Sequence, residues 1–323
     1  MLTRWNGYEK GINLGGWLSQ CDHKAETYDN FISEEDFKTI SGWGLDHVRV
    51  PVDYNLVEDE QGRYIEKGFL YIEDTINMCR KYKLKMVLDL HKTAGYSFDK
   101  GEHESGFFDD TDGGRALRER YFLLWEQFAR RFSGDYEMLA FELLNEITDQ
   151  AYSSIWNETI KECVSRIRKY SEDIDIIYGG YWYNSVDAVK DLPVIDDPHV
   201  MYAVHNYDPF KFTHQGARWV DPKTIPHDAR PTFDEFGITT DDFINRFAEC
   251  VNIAKERGVR LYCSEYGVIC NVTPEDTIKY YKAINAAFKY YGIPRAAWTY
   301  RSMAFGLADS RLDDVREEVL KYM

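Results

Sequence analysis

No apolar stretch in this 323-residue chain reaches the roughly 18 residues that a bilayer-spanning helix needs. The opening segment, Met1 to Lys10, holds no apolar leader. The chain is therefore expected to stay in the cytoplasm, or to be secreted only if a leader has been removed from it. Basic residues are scarce: 39 Lys and Arg stand against 55 Asp and Glu, a net charge of −16 at pH 7. Nucleic acid and anionic membranes need a basic footprint, so neither is expected as a partner, and a neutral substrate suits this surface. Cysteines are few, at positions 21, 79, 163, 250, 263 and 270, with no C-x-x-C pair. They read as free thiols in a reducing compartment, where the sequons at Asn157 and Asn271 carry no meaning.

Several chemical signatures are also missing. The sequence has no Gly-x-Gly-x-x-Gly fingerprint, no His-Glu-x-x-His helix and no Gly-x-Ser-x-Gly turn. Glu102-His103-Glu104 has the composition of a metal cluster. Adjacent residues cannot converge on one ion from a regular element, so it reads as a solvated loop. No metal and no cofactor are expected.

What is present is a globular composition, 44% hydrophobic and 29% charged, with material for a large core. Short apolar segments recur at 11–14, 47–50, 85–90, 139–144, 175–178, 200–205, 260–264 and 296–298. Apolar residues at helical spacing lie between them, as over 116–132. Ser33 to Asp36 reads as a capping box, Thr273-Pro274 as a helix start, and Gly258 as a helix stop. Strands alternating with helices imply parallel strands joined by right-handed crossovers. Eight such units predict a single-domain (β/α)₈ barrel over 1–323, with a doubly wound sheet as the alternative. The longest irregular stretch, at about 208–240 after the sixth strand, holds Phe210, Phe212, His214, Trp219 and four prolines. A loop that long in a compact domain is usually functional.

The C-terminal strand ends form the active face of such a barrel. Arg49 is expected to follow the second strand, His91 the third, Asn145 and Glu146 the fourth, His205 and Tyr207 the sixth, Glu265 the seventh and Trp298 the eighth. Two carboxylates facing each other across a cleft suit glycosidic bond cleavage, one as a protonated acid and one ionised. Arg49 and Tyr207 offer donors to a carboxylate. Asn145 can bond a sugar hydroxyl, His91 and His205 can bond hydroxyls or hold the acid, and Trp298 offers a flat face to a pyranose. Trp17, Tyr54, Trp182, Phe210, Trp219 and Tyr300 are further platform candidates. Each residue alone has a bland structural reading; their convergence on one barrel end favours the chemical one. A silent carbohydrate-binding barrel and a metal-dependent hydrolase remain as alternatives.

The order Arg49, His91, Asn145-Glu146, His205-x-Tyr207, Glu265 and Trp298 resembles glycoside hydrolase family 5. Gly11-Ile-Asn-Leu-Gly-Gly-Trp17, Leu88-Asp-Leu-His91, Phe141-Glu-Leu-Leu-Asn-Glu146 and Leu261-Tyr-Cys-Ser-Glu-Tyr-Gly-Val268 are similar to its leaderless bacterial endoglucanase C type. The resemblance implies Glu146 as acid/base and Glu265 as nucleophile of a retaining endo-β-1,4-glucanase, acting also on mixed-linkage β-glucan. An exo-β-1,3-glucanase or a β-mannanase on the same barrel is the alternative. It also implies a monomer whose partner is a β-glucan, with Arg49, His91, Asn145, His205, Tyr207, Trp298, Trp17 and Trp219 binding it.

Overall fold

Eight strands, all parallel, follow one another in sequence order around a closed barrel: β1 Lys10–Asn13, β2 His47–Asp53, β3 Lys85–Lys92, β4 Leu139–Glu142, β5 Asp175–Tyr178, β6 Val200–Asn206, β7 Arg260–Tyr266 and β8 Arg295–Ala297. The computed structural model describes Leu2 and residues 5–99 and 101–323; of the expected span 1–323, positions 1, 3, 4 and 100 lie outside the described residues. The longer helices are α1 Glu34–Gly42, α2 Glu66–Tyr82, α3 Asp112–Phe132, α4 Ser153–Ile167, α5 Thr240–Glu256, α6 Pro274–Tyr291 and α7 Arg316–Tyr322. Between β5 and β6 the helical layer is thinned to a 3₁₀ helix, Val186–Asp191. None of the described helices is long and apolar enough to cross a membrane.

The helix signals act locally as expected. The Asp36 carboxylate accepts the Ser33 N–H at 2.7 Å and starts α1, and the Thr273 hydroxyl accepts the Asp276 N–H at 3.2 Å ahead of α6. Gly258, at φ +67°, turns the chain out of α5, a conformation that glycine adopts freely.

Strand alternation divides the core in two. In β3, Met86, Leu88 and Leu90 pack outward against the helices, while Val87 joins Ala140, Ile177, Met201, Ala203, Tyr262 and Ala296 inside the barrel. Trp5 and Tyr8, stacked at 3.7 Å, belong to the same inner cluster. Residues of the same parity further along each strand, such as Asp89 and His91, are thereby aimed inward at the C-terminal end. Pairing along β6 and β7 steps from Val204↔Cys263 to His205↔Glu265, so Ser264 is an extra residue on β7. Simple alternation after Tyr262 would turn Glu265 outward. The bulge at Ser264 re-aims it into the barrel.

The insert after β6 is less irregular than its composition suggests. It contains the helical turns Phe210–Thr213 and Phe233–Phe236. Phe212 packs on Phe233, Phe236 and Tyr280 of α6, which fastens the insert to the barrel wall.

Candidate active site

Arg49 is the hub of the barrel's C-terminal end. Fully buried, it lies in mid-β2, two residues from inward-facing His47 on the same strand face. Its Nε donates to Glu142 Oε2 at 2.6 Å, and Nη2 reaches Asp89 Oδ2 at 3.0 Å and Asn145 Oδ1 at 2.9 Å. Its Nη1 donates to Asn13 Oδ1 at 2.9 Å and Glu265 Oε1 at 2.7 Å. A planar fork with several fixed donors can orient three acids at once, which a lysine cannot.

Glu265 accepts a second bond, from the Tyr207 hydroxyl to Oε2 at 2.8 Å. Burial and the Glu265 charge raise the Tyr207 pKa, so the phenol stays protonated and donates. Glu146 lies opposite, with Oε1 2.8 Å from His205 Nδ1. Ligand atoms of Glu146, His205 and Glu265 all lie within 4.8 Å of one another. Burial pushes the Glu146 pKa up to about 7, against the pull of His91 and Arg49. Burial likewise drops His205 to about 4, so its imidazole is neutral. One acid is thus protonated near neutrality, while the other sits between two donors. Glu146 itself has a left-handed backbone, φ +40°, uncommon for a residue with a Cβ. The Tyr96 hydroxyl clamps this turn, donating to the Glu146 carbonyl at 2.6 Å and accepting the Thr148 N–H at 2.9 Å.

The floor beside the pair carries polar atoms with no protein partner: Asn145 Nδ2 and His91 Nε2, both buried. His91 Nδ1 contacts Asp89 Oδ2 at 2.6 Å, and burial raises Asp89 to about 7. The His91 ring lies parallel to Trp298 at 5.7 Å. Trp298 fits because Gly15 lacks a side chain: a Cβ there would meet the indole at 2.7 Å.

Arg49, His91, His205 and Glu265 lie inside their strands rather than after them: β3 and β7 continue past their apolar segments to take in His91 and Glu265, while Arg49 and His205 fall within the segments that mark β2 and β6. β4 instead stops at Glu142, and Leu143 and Leu144 both join the outer core before Asn145 and Glu146 turn in. The structure gathers Arg49, His91, Asn145, Glu146, His205, Tyr207, Glu265 and Trp298 at one end of the barrel. Trp17 is set apart: it is buried against Phe37, with its indole N–H given to the Tyr28 carbonyl at 2.9 Å. Tyr300 is likewise buried, bonded to Asp36. Trp219 is exposed on the insert, edge-on to His214, which in turn packs edge-on to Tyr207. Glu102 and Glu104 are not simply solvated. Lys92 at the end of β3 pairs with Glu102 at 3.0 Å, and Glu104 accepts the Tyr54 hydroxyl at 2.6 Å.

Asn13, Asp89, Glu142, Tyr96 and Asn184 are parts of the site that sequence reading missed. Asp89 shares strand parity with Val87 and His91, and Glu142 with Ala140, so a charged residue on an inward face was the available signal. Tyr96 had none.

Among the described residues, Glu146, His205 and Glu265 are the one group spaced to hold a cation. Their chemistry argues against it. Both Glu265 oxygens are engaged by Arg49 and Tyr207, Glu146 holds a proton near neutrality, and a fixed guanidinium stands beside the group.

A family model described as cellulase (glycosyl hydrolase family 5) matches residues 5–303. Cellodextrinase A of Ruminococcus flavefaciens is 47% identical over 294 residues, 91% of this chain and 86% of that protein. Endoglucanase C of Acetivibrio thermocellus is 33% identical over 341 residues, 98% of each chain. Among solved structures, the cellulose synthase subunit Z of Clostridioides difficile superposes with a TM-score of 0.82 at 25% identity, covering 98% of this chain and 99% of that one. Endoglucanase Cel5A of Thermotoga maritima superposes with a TM-score of 0.81 at 24% identity, covering 98% and 97%, and shares the fold.

Proposed function

Because the chain belongs to glycosyl hydrolase family 5, we propose that it is a retaining endo-β-1,4-glucanase acting on cellulose-type glucans and soluble cellodextrins. The observation that carries the reading is the Glu146–Glu265 pair, with oxygens within 4.8 Å, Glu146 raised to about 7 by burial and Glu265 bonded by Arg49 and Tyr207. Retaining glycosidases hold their carboxyl groups about 5–5.5 Å apart, whereas inverting ones leave roughly 6.5–9.5 Å for a water.

Glu265 attacks the anomeric carbon as the bond to the leaving sugar breaks. The departing oxygen takes the Glu146 proton, leaving a glycosyl ester on Glu265 and an ionised Glu146. Glu146 then takes a proton from water, whose oxygen attacks the same carbon and frees Glu265. Two inversions give net retention. The Asn184 amide contacts His205 Nε2 at 3.4 Å, and His205 Nδ1 lies 2.8 Å from Glu146 Oε1, which leaves Oε2 of the acid to carry the proton for transfer. Asn145 Nδ2, unpartnered, is positioned to bond the 2-hydroxyl, a contact that strengthens in the transition state.

The pH profile follows from the acid. Glu146 must be protonated for the first step, so kcat/KM on cellodextrins is expected to fall about tenfold per pH unit above about 7. A 2,4-dinitrophenyl cellobioside, whose leaving group needs no proton, should show a flatter limb. Equal profiles on the two substrates would remove Glu146 as the acid.

A cation at the Glu146–His205–Glu265 group is the second reading, favoured only by their spacing. Millimolar EDTA is expected to leave the rate unchanged; loss of activity restored by a divalent ion would reverse this assignment.

The function itself is tested on carboxymethyl-cellulose, mixed-linkage β-glucan, laminarin, mannan and xyloglucan, with product lengths recorded. Mixed short oligomers from the β-1,4-glucans are expected. Glucose released from laminarin alone would identify an exo-β-1,3-glucanase, and no turnover of any glycan would leave a binding barrel.

A further inference from the structure

The acid holds a conformation that its own segment does not supply. β4 ends at Glu142, and the stretch from Asn145 to Thr148 belongs to no helix or strand. Glu146 sits there at φ +40°, which a residue with a Cβ keeps only where its surroundings fix it. The fixing bonds come from other loops. The Asn145 N–H donates to the Leu90 carbonyl of β3 at 3.0 Å, and the Tyr183 N–H donates to the Ile147 carbonyl at 2.9 Å. The Glu146 carbonyl and the Thr148 N–H converge on a single atom, the Tyr96 hydroxyl oxygen.

A phenol suits that place. It has one proton to give and lone pairs with which to accept. Burial raises the Tyr96 pKa, so the proton stays on the oxygen and goes to the carbonyl. The two bonded groups belong to the peptide units that follow Glu146 and Ile147. Holding both fixes the direction in which the Glu146 side chain leaves the backbone.

Tyr96 is itself firmly seated. Its ring is buried, edge-on to Phe108 at 4.9 Å and to Tyr152 at 6.4 Å. Its backbone exchanges two bonds with Thr93, at 2.9 and 3.1 Å. Gly95, at φ +81°, gives its N–H to Glu104 Oε2 at 2.6 Å and accepts the Phe107 N–H at 3.1 Å. A side chain at Gly95 would meet Leu117 at 2.6 Å, so the loop closes tightly on α3. The Glu102-His103-Glu104 run, remote from the reaction, is thereby joined to the acid through Glu104, Gly95 and Tyr96.

On the glycosidase reading above, we propose that Tyr96 is a positioning residue for the acid/base, its hydroxyl holding the Glu146 turn so that the carboxyl reaches the glycosidic oxygen, with Glu104 supporting it through Gly95. The hydroxyl acts through the Glu146 backbone and not on the sugar. A misplacement of about 1 Å can cost about 100-fold in rate, so two bonds to this turn matter to the chemistry.

Tyr96→Phe keeps the ring in its cage and removes both bonds. The test compares cellotetraose with 2,4-dinitrophenyl cellobioside, whose leaving group needs no proton. In Tyr96→Phe, kcat/KM on cellotetraose is expected to fall about 10–100-fold, while kcat/KM on the dinitrophenyl substrate stays near that of wild type. Hydrolysis of the Glu265 ester uses Glu146 as base, so kcat on the dinitrophenyl substrate should fall. Azide attacks that ester without a base and should restore it. Glu104→Ala, which leaves the hydroxyl but loosens its loop, should show the same split in smaller measure, and decides the matter should Tyr96→Phe not fold. A residue that merely stabilised the fold would lower both kcat/KM values together. That result, or a wild-type rate on cellotetraose, overturns the proposal. Wild type inert towards both substrates would instead overturn the glycosidase reading on which it rests.

Discussion

Glu265→Ala is expected to lower turnover of cellodextrins by about 10⁵-fold or more while the fold survives. The estimate follows the losses seen when a covalent nucleophile is removed from an otherwise intact site. The side chain is buried, accepts from Arg49 and Tyr207, and faces the protonated acid across a gap of less than 4.8 Å. Removing it leaves space where a small anion can bind. Azide should therefore restore activity and yield the α-glycosyl azide, since a single displacement inverts the anomeric carbon. Azide rescue of Glu146→Ala should give the β-azide, formed after the Glu265 ester. Identical products from the two variants, or full activity in Glu265→Ala, would end the double-displacement scheme.

Arg49→Met is expected to carry the largest stability loss. It leaves Glu142, Asp89 and Glu265 in a buried space without their shared cation. Breaking a buried pair from one side typically costs about 3–5 kcal/mol, because the remaining charge stays desolvated. For a domain of this size that is a fall in Tm of about 4–7 °C. The deficit has a sign with pH. Orphaned carboxylates are relieved by taking up protons, so the variant should approach wild type more closely at pH 5 than at pH 8. Arg49→Lys keeps a charge but lacks the planar fork, and should recover part of the stability and little of the activity. Arg49→Met melting with wild type at both pH values would mean the hub is not holding these acids.

The eight strands were legible because each is an apolar run bounded by helical patterns, and burial on both faces in a parallel sheet demands such runs. Their ends were less legible. Polar residues such as His91 and Glu265 look like the start of a loop, yet they remain in the ladder because the barrel mouth gives each one an inward partner. The aromatic candidates were the weakest readings. Trp17 and Tyr300 pack into the core while Trp182 and Trp219 face solvent, a division that composition does not encode. The helical turns of the 208–240 insert escaped notice because, at four residues each, they are too short to show periodicity.

By itself, then, the sequence determined the barrel and marked Glu146, Glu265 and several of their neighbours near the strand ends, since hydrophobic period and side-chain type are local properties of the chain. Tertiary structure alone decided three things. The Ser264 bulge turned Glu265 inward against the parity of its own strand. Burial raised Glu146 to about 7, while Glu265, chemically the same residue, came to rest between the Arg49 and Tyr207 donors. Arg49, Asp89 and Glu142 became one network although they come from three strands far apart in the chain. Each depends on distances and desolvation between segments remote in sequence, and those quantities exist only once the barrel has closed.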